Sequence, residues 1–261
     1  MLRTSLRAGC SALLLLLACL DARADLDVAI AFVGERTGSA WSGAQQGLDE
    51  ARVQGEFLGQ RYTLTDKPAG AAAIVAALPT EALLSLAAQH PNTPILNIGT
   101  GDDAARKACR PNLLHVLPSS AMLAAATAQW RSKHPDDQVE ARAWHSTFEK
   151  YAASQLNHRY SEKFARPMED AAWAGWAAVK VVSDTVARLQ SAESAGLLAA
   201  LRGDLAFDGQ KGVDLSFRPD GQLRQPLLLV REGKLVGEAP VRGVADTLDS
   251  LGKSECPTAA P

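Results

Sequence analysis

The chain has 261 residues, with 27 Lys plus Arg against 29 Asp plus Glu, a formal charge of −2, 47% hydrophobic residues and 21% charged ones. This composition excludes a disordered or fibrous chain and provides for one large domain or two small ones. The near-neutral balance argues against a nucleic-acid partner, which needs a broad basic face to neutralise phosphates.

Residues 1–24 read as a secretory signal peptide. Arg3 and Arg7 give a basic start, Leu13 to Leu17 an apolar run too short to span a bilayer, and Ala22-Arg23-Ala24 a small-x-small site with cleavage expected after Ala24. Leu16-Leu17-Ala18-Cys19 also resembles a lipobox, so a lipid anchor at Cys19 is the alternative. Losing Arg3, Arg7, Arg23 and Asp21 takes the charge from −2 to −4. Cys10 and Cys19 leave with the signal; Cys109 and Cys256 remain. In an oxidising compartment two cysteines suggest one disulfide, closing a very long loop, with two free thiols as the other option. No later stretch is long and apolar enough to span a membrane, so the mature chain is expected to be soluble, and the signal peptide makes the periplasm its expected location.

From residue 25 the chain alternates strand and helix. Asp27 to Val33 is a continuous apolar run, as in a strand buried on both faces. Gly34 to Gly38 form a loop. Ser42 is the expected N-cap of the next helix, with Gln45 completing a capping box and Gly55 as its stop. Arg61 to Thr65 and Ala72 to Leu78 read as strands, and Pro79-Thr80-Glu81 opens a helix with Leu83, Leu84 and Ala87 inward. Pro94 to Ile98 is a fourth strand, Gly99 to Asp103 a sharp turn, Leu113 to Leu117 a fifth strand, and Ser119 or Ser120 caps a helix running to about Trp130. This alternation predicts a parallel, doubly wound α/β sheet.

Arg131 to Arg142 is polar and reads as a linker. Ser146 to Phe164 is expected to be helical, with Phe148, Tyr151 and Gln155 on one stripe. Asp170 opens a helix whose Trp173, Trp176, Val179, Val182, Val186 and Leu189 share a face. Trp173 and Trp176 are core packing or a ligand platform. A shorter helix spans about Ala192 to Leu201. Val213 to Arg218, Gln225 to Arg231 and Lys234 to Glu238 are β-like, joined at Arg231-Glu232-Gly233-Lys234 by a hairpin turn. The polar tail from Leu248 is expected on the surface.

In open parallel sheets, ligands sit beyond the carboxyl ends of the strands, near the point where strand order reverses. The loops there are Gly34 to Trp41, Leu78 to Thr80 and Gly99 to Asp103. Thr80 and Thr100 supply hydroxyl donors, or serve as a helix cap and a turn residue. Neither a P-loop nor a GxGxxG fingerprint is present, which disfavours a nucleotide. His90, His115, His134, His145 and His158 form no HExxH or HxH pattern, no GxSxG elbow occurs, and Asp102-Asp103 and Asp136-Asp137 read as solvated or capping pairs. No catalytic residue, metal or cofactor is expected, and an exported enzyme is the weakest of three functional readings.

Several stretches carry a resemblance. They are Leu96 to Asp103 followed by Cys109-Arg110-Pro111-Asn112-Leu113-Leu114-His115, then Ala153 to Tyr160, Trp173 to Val179, Leu215-Ser216-Phe217-Arg218-Pro219-Asp220-Gly221-Gln222-Leu223-Arg224-Gln225-Pro226, and Leu248 to Gly252 with Cys256. In these the chain resembles the type I periplasmic binding proteins, the branched-chain amino acid receptors of ABC transporters, and within them the subgroup associated with PQQ-dependent alcohol dehydrogenase systems. The resemblance implies a two-lobed α/β receptor that closes on a small ligand by hinge motion. It places ligand contacts at Trp41, Thr80, Gly99, Thr100 and Gly101. It also implies partners: a small-molecule ligand, and an ABC permease or a periplasmic quinoprotein dehydrogenase. Between Trp130 and Trp144 the chain departs from the family, which builds the core of its second lobe there. The implied division is a first α/β lobe at 25–130, a linker at 131–145, a reduced second lobe with return strands at 146–247, and a tail at 248–261. The first reading is then a solute-binding protein. The second is a degenerate, non-binding accessory of a quinoprotein dehydrogenase system.

Overall fold

The computed structural model describes residues 25–203, 205–253 and 256. The expected signal peptide, its cleavage site and Cys19 lie outside them. The central sheet holds β1 (Leu26–Val33), β2 (Gln60–Thr65), β3 (Ala73–Ala76), β4 (Ile95–Asn97) and β5 (Leu113–His115). Its order is β2-β1-β3-β4-β5, and every pairing is parallel. Alternate side chains supply two cores. Ile30, Phe32, Val75 and Leu96 belong to one, and Ala31, Ile74, Ala76 and Ile95 to the other. Helices cover both faces, which is why β1 and β3 read as unbroken apolar runs.

The first core is closed by α1 (Ser39–Leu58) and α6 (Asp170–Leu189), which cross with their backbones in contact. A Cβ on Gly43 would stand 1.8 Å from the Ala172 carbonyl oxygen, and one on Gly175 would stand 2.2 Å from that of Ala40. The α6 face is the expected one, with all but half-exposed Leu189 buried. Trp173 and Trp176 are core, 0% and 2% exposed, and Trp173 stacks on Trp144 at 5.9 Å. They are not a ligand platform. Both α5 (Ala153–Phe164) and α7 (Ser194–Arg202) add Leu156, Tyr160, Leu197 and Leu201 to this same core.

A third core lies between α4 (Ser120–Lys133) and an antiparallel sheet of β6 (Glu140–Arg142), β9 (Leu227–Arg231) and β10 (Lys234–Ala239) in the order β10-β9-β6. Met122, Ala126, Ala141, Leu227, Leu229 and Leu251 fill it. Leu228 points the other way into the first core, so β9 serves both. Between these cores Lys211 is fully buried. Its ammonium donates to the Ala143 carbonyl, to Gln225 Oε1 at 2.7 Å and to the Pro226 carbonyl at 3.0 Å, and lies 4.1 Å over the Trp173 ring. On the central sheet lie also α2 (Thr80–Gln89) and α3 (Asp103–Lys107), and a short 3-10 helix spans Leu248–Leu251. Short β7 (Ser216–Phe217) and β8 (Leu223–Arg224) form a two-stranded ribbon.

Several expectations need correction. Ser42 does not cap α1; Gly38 does, and the Ser42 hydroxyl instead donates back to the Gly38 carbonyl at 3.3 Å. Gly55 does not stop α1 but lies within it, where its bare backbone lets the Gln60 carbonyl approach; the stop is Gly59 in the left-handed region. The segment 131–142 is not all linker, because it holds the end of α4 and all of β6. Residues 146–152 are not helical: Tyr151 and Ala152 take φ of 54° and 67°, and the buried stripe of α5 is Ala153, Leu156 and Tyr160. In the tail, Leu251 is fully buried under α4. Cys109 and Cys256 form a disulfide, with a Cα–Cα distance of 5.6 Å. No helix among the described residues is long and apolar enough to cross a membrane.

Candidate functional site

Strand order reverses between β1 and β3, and the loops leaving β1, β3 and β4 lie side by side at that edge. Gly34, just past β1, lies so close to Ala77, just past β3, that a Cβ on it would stand 2.8 Å from the Ala77 Cβ. Gly99, just past β4, touches Leu78 in the same way, its would-be Cβ 2.2 Å from the Leu78 nitrogen. A side chain at Gly99 would force the two loops apart.

This approach brings Thr80 and Thr100 together, their hydroxyl oxygens 3.3 Å apart. Thr80 begins α2 and Thr100 lies in the turn before α3. The Thr80 hydroxyl donates to Asp102 Oδ2 at 2.9 Å, while Thr100 Oγ1 accepts the Asp102 N–H at 3.1 Å. The other carboxylate oxygen, Asp102 Oδ1, accepts the Ala104 N–H at 2.9 Å as the cap of α3. The Ala104 N–H, then the Thr80 hydroxyl, hold the Asp102 carboxyl below the usual carboxylate range. The Trp41 ring meets Phe32 edge-on at 4.9 Å, with the Arg36 guanidinium 5.1 Å above it. The Gly101 carbonyl accepts the Ser120 N–H at 2.8 Å, which ties the turn to the start of α4.

Beneath the turn lies a polar support that the sequence reading did not single out. Asn97, buried at the end of β4, accepts the Gly99 and Thr100 N–H groups on Oδ1 at 3.0 and 3.1 Å. Its amide nitrogen donates to the Thr100 carbonyl at 2.8 Å and lies 2.9 Å from His115 Nδ1. Burial, then Arg106 and Arg202, hold the His115 imidazole well below its ordinary value, so it is neutral and Nδ1 accepts the amide proton. Arg106 donates to the carbonyls of Thr100, Asp102 and Leu117, and its Nε to Gln222 Oε1 at 2.9 Å. Burial pushes this guanidinium down to about 10, against Asp103, Asp220 and Asp102, which favour its charge. Gln222 belongs to the long string 215–226, and its amide nitrogen reaches the Leu117 carbonyl at 3.0 Å. The turn is thus fixed by three neutral bonds from Asn97 and by charge-assisted bonds from Arg106. A cavity of about 120 Å³ opens beside α3 and the start of α4, lined by Arg106, Ser119, Arg218, Asp220 and Gln222 among others; Trp41, Thr80, Gly99, Thr100 and Gly101 do not line it.

No protein-family model and no curated protein sequence matches the chain. Solved structures do. A periplasmic binding protein from Burkholderia mallei aligns over 85% of this chain and 97% of its own, with a TM-score of 0.66 at 14% identity. A branched-chain amino acid ABC transporter periplasmic ligand-binding protein from Burkholderia xenovorans aligns over 82% and 95%, with a TM-score of 0.68 at 10% identity. The branched-chain amino acid transporter substrate-binding protein of Streptococcus pneumoniae, solved with isoleucine, aligns over 82% and 98%, with a TM-score of 0.60 at 11% identity. The chain has the α/β fold of the type I periplasmic binding proteins.

Proposed function

We propose that this chain is an exported solute-binding protein of an ABC-transporter-type system, holding a small organic ligand at the strand ends of the first sheet. Its setting is a periplasm in which a PQQ-dependent system oxidises alcohols, as the sequence resemblance implies. The observation that carries the reading is the meeting of Thr80 and Thr100, from two different loops, at the edge where strand order reverses. Trp41, Gly99, Thr100, Gly101 and Thr80 are its proposed contact residues. The fold supports it, since structural neighbours are described in complex with isoleucine and with benzoate. In this reading residues 146–247 are the reduced second lobe, with α5, α6 and α7 packed on the core of the first.

One observation favours a second reading, a non-binding accessory protein of a quinoprotein dehydrogenase. The N–H groups of Gly99 and Thr100 and the Thr80 hydroxyl already have partners within the chain. Thermal-shift titration of the mature protein against amino acids, alcohols, aldehydes and PQQ separates the two. A ligand that binds the native state raises Tm with its concentration. The solute-binding reading predicts such a rise for at least one class. No shift with any of them, together with co-purification of a dehydrogenase, would overturn it in favour of the accessory.

A further inference from the structure

We infer that Asp102 sets the ligand class of the strand-end site: it excludes carboxylates and selects a small ligand whose polar end donates hydrogen bonds, a hydroxyl or an ammonium. This rests on the solute-binding reading and goes beyond it.

The argument is an accounting of donors. The Thr80 hydroxyl proton goes to Asp102 Oδ2. Thr100 Oγ1 accepts the Asp102 N–H, and with Thr80 already donating elsewhere, the Thr100 proton is the one shared between the two hydroxyls 3.3 Å apart. The Gly99 and Thr100 N–H groups go to Asn97 Oδ1. An incoming carboxylate therefore meets no donor from these groups. It meets instead a carboxylate already seated on the Thr80 hydroxyl. Asp102 stays ionised at neutral pH, because the Ala104 N–H and the Thr80 hydroxyl favour its charge. It is exposed, and each carboxylate oxygen keeps acceptor capacity beyond the single bond it makes. What the two threonine hydroxyls and Asp102 offer a ligand is acceptors and negative charge. Asn97 and Arg106 hold the backbone of the turn from below, and the Asp102 carboxylate is placed on it by the Ala104 N–H and the Thr80 hydroxyl.

The test uses three six-carbon probes: hexanoate, 1-hexanol and hexylamine, which is an ammonium at neutral pH. Each is titrated calorimetrically into the mature protein and into Asp102→Asn. Asparagine is as good an N-cap as aspartate, so the variant keeps α3 and loses the charge. The wild type is expected to bind the alcohol or the amine, and hexanoate at least about fivefold more weakly, the factor for two unit charges about 4 Å apart in water. Asp102→Asn is expected to narrow that gap by a similar factor. Hexanoate bound by the wild type as tightly as the other two, or a gap unchanged in Asp102→Asn, overturns the inference and leaves the solute-binding reading standing. If neither protein binds any probe, nor any amino acid, alcohol, aldehyde or PQQ, the solute-binding reading falls and takes this one with it.

Discussion

At Lys211 the chain buries an ammonium among three oxygens and one indole face. The partners come from separate parts of the chain: Ala143 follows β6, Gln225 and Pro226 precede β9, and Trp173 belongs to α6. Burial pushes the ammonium down to about 7, with Asp170 and Glu238 acting against the shift. An unfolded lysine holds its proton to about 10.4. Between those values the unfolded chain binds more protons than the folded one, so unfolding free energy rises with pH from about 7 to about 10. Urea melts across that window should show the rise, and Lys211→Met should flatten it. The same variant strands three acceptors and should be less stable by about 2–3 kcal/mol at pH 8, read from the shift in urea midpoint.

Among elements, the crossing of α1 and α6 depends on the absence of side chains. Replacing Gly43 or Gly175 by Ala puts a methyl into a neighbouring carbonyl, so the helices must move apart or shift along each other. Each variant should lose about 2–3 kcal/mol, measured by thermal or urea unfolding. The 3.6-residue spacing of α6 made that helix legible in the sequence, and the unbroken apolar runs did the same for β1 and β3. Glu232 and Gly233, with φ of 50° and 72°, form the hairpin turn that their sequence announced. What escaped depended on distant partners. Glu140, Ala141 and Arg142 are a strand because Val230, Leu229 and Leu228 pair with them. Gly55 resembles a helix stop until the Gln60 carbonyl is seen against it. At the candidate site the loops were legible from the strand ends. Their support was not, since Arg106 meets Gln222 across 116 residues and nothing local marks either one.

For the whole molecule, the Cys109–Cys256 disulfide closes a loop with a sequence separation of 147 residues. In the chain-entropy model such a loop is worth up to about 5 kcal/mol, mostly through the unfolded state. A thiol assay on the unreduced, unfolded mature protein should find no free thiol from this pair. Reduction, or Cys109→Ser with Cys256→Ser, should lower the urea midpoint by an amount consistent with a few kcal/mol, with little change in the native circular dichroism.

The sharing of β9 between two cores also bears on timing. As the chain is made, residues 25–130 precede 131–253, but the face of α1 that carries Gly43 waits for α6, and the outer edge of β5 waits for Gly221, whose carbonyl accepts the His115 N–H at 2.7 Å. Leu227 to Leu229 must then arrive before either neighbouring core is filled. A nascent chain ending short of residue 231 therefore lacks a strand that both cores need. Closure therefore waits for β9, and until that strand is made the polypeptide remains a suitable cargo for any machinery that handles unfolded chains.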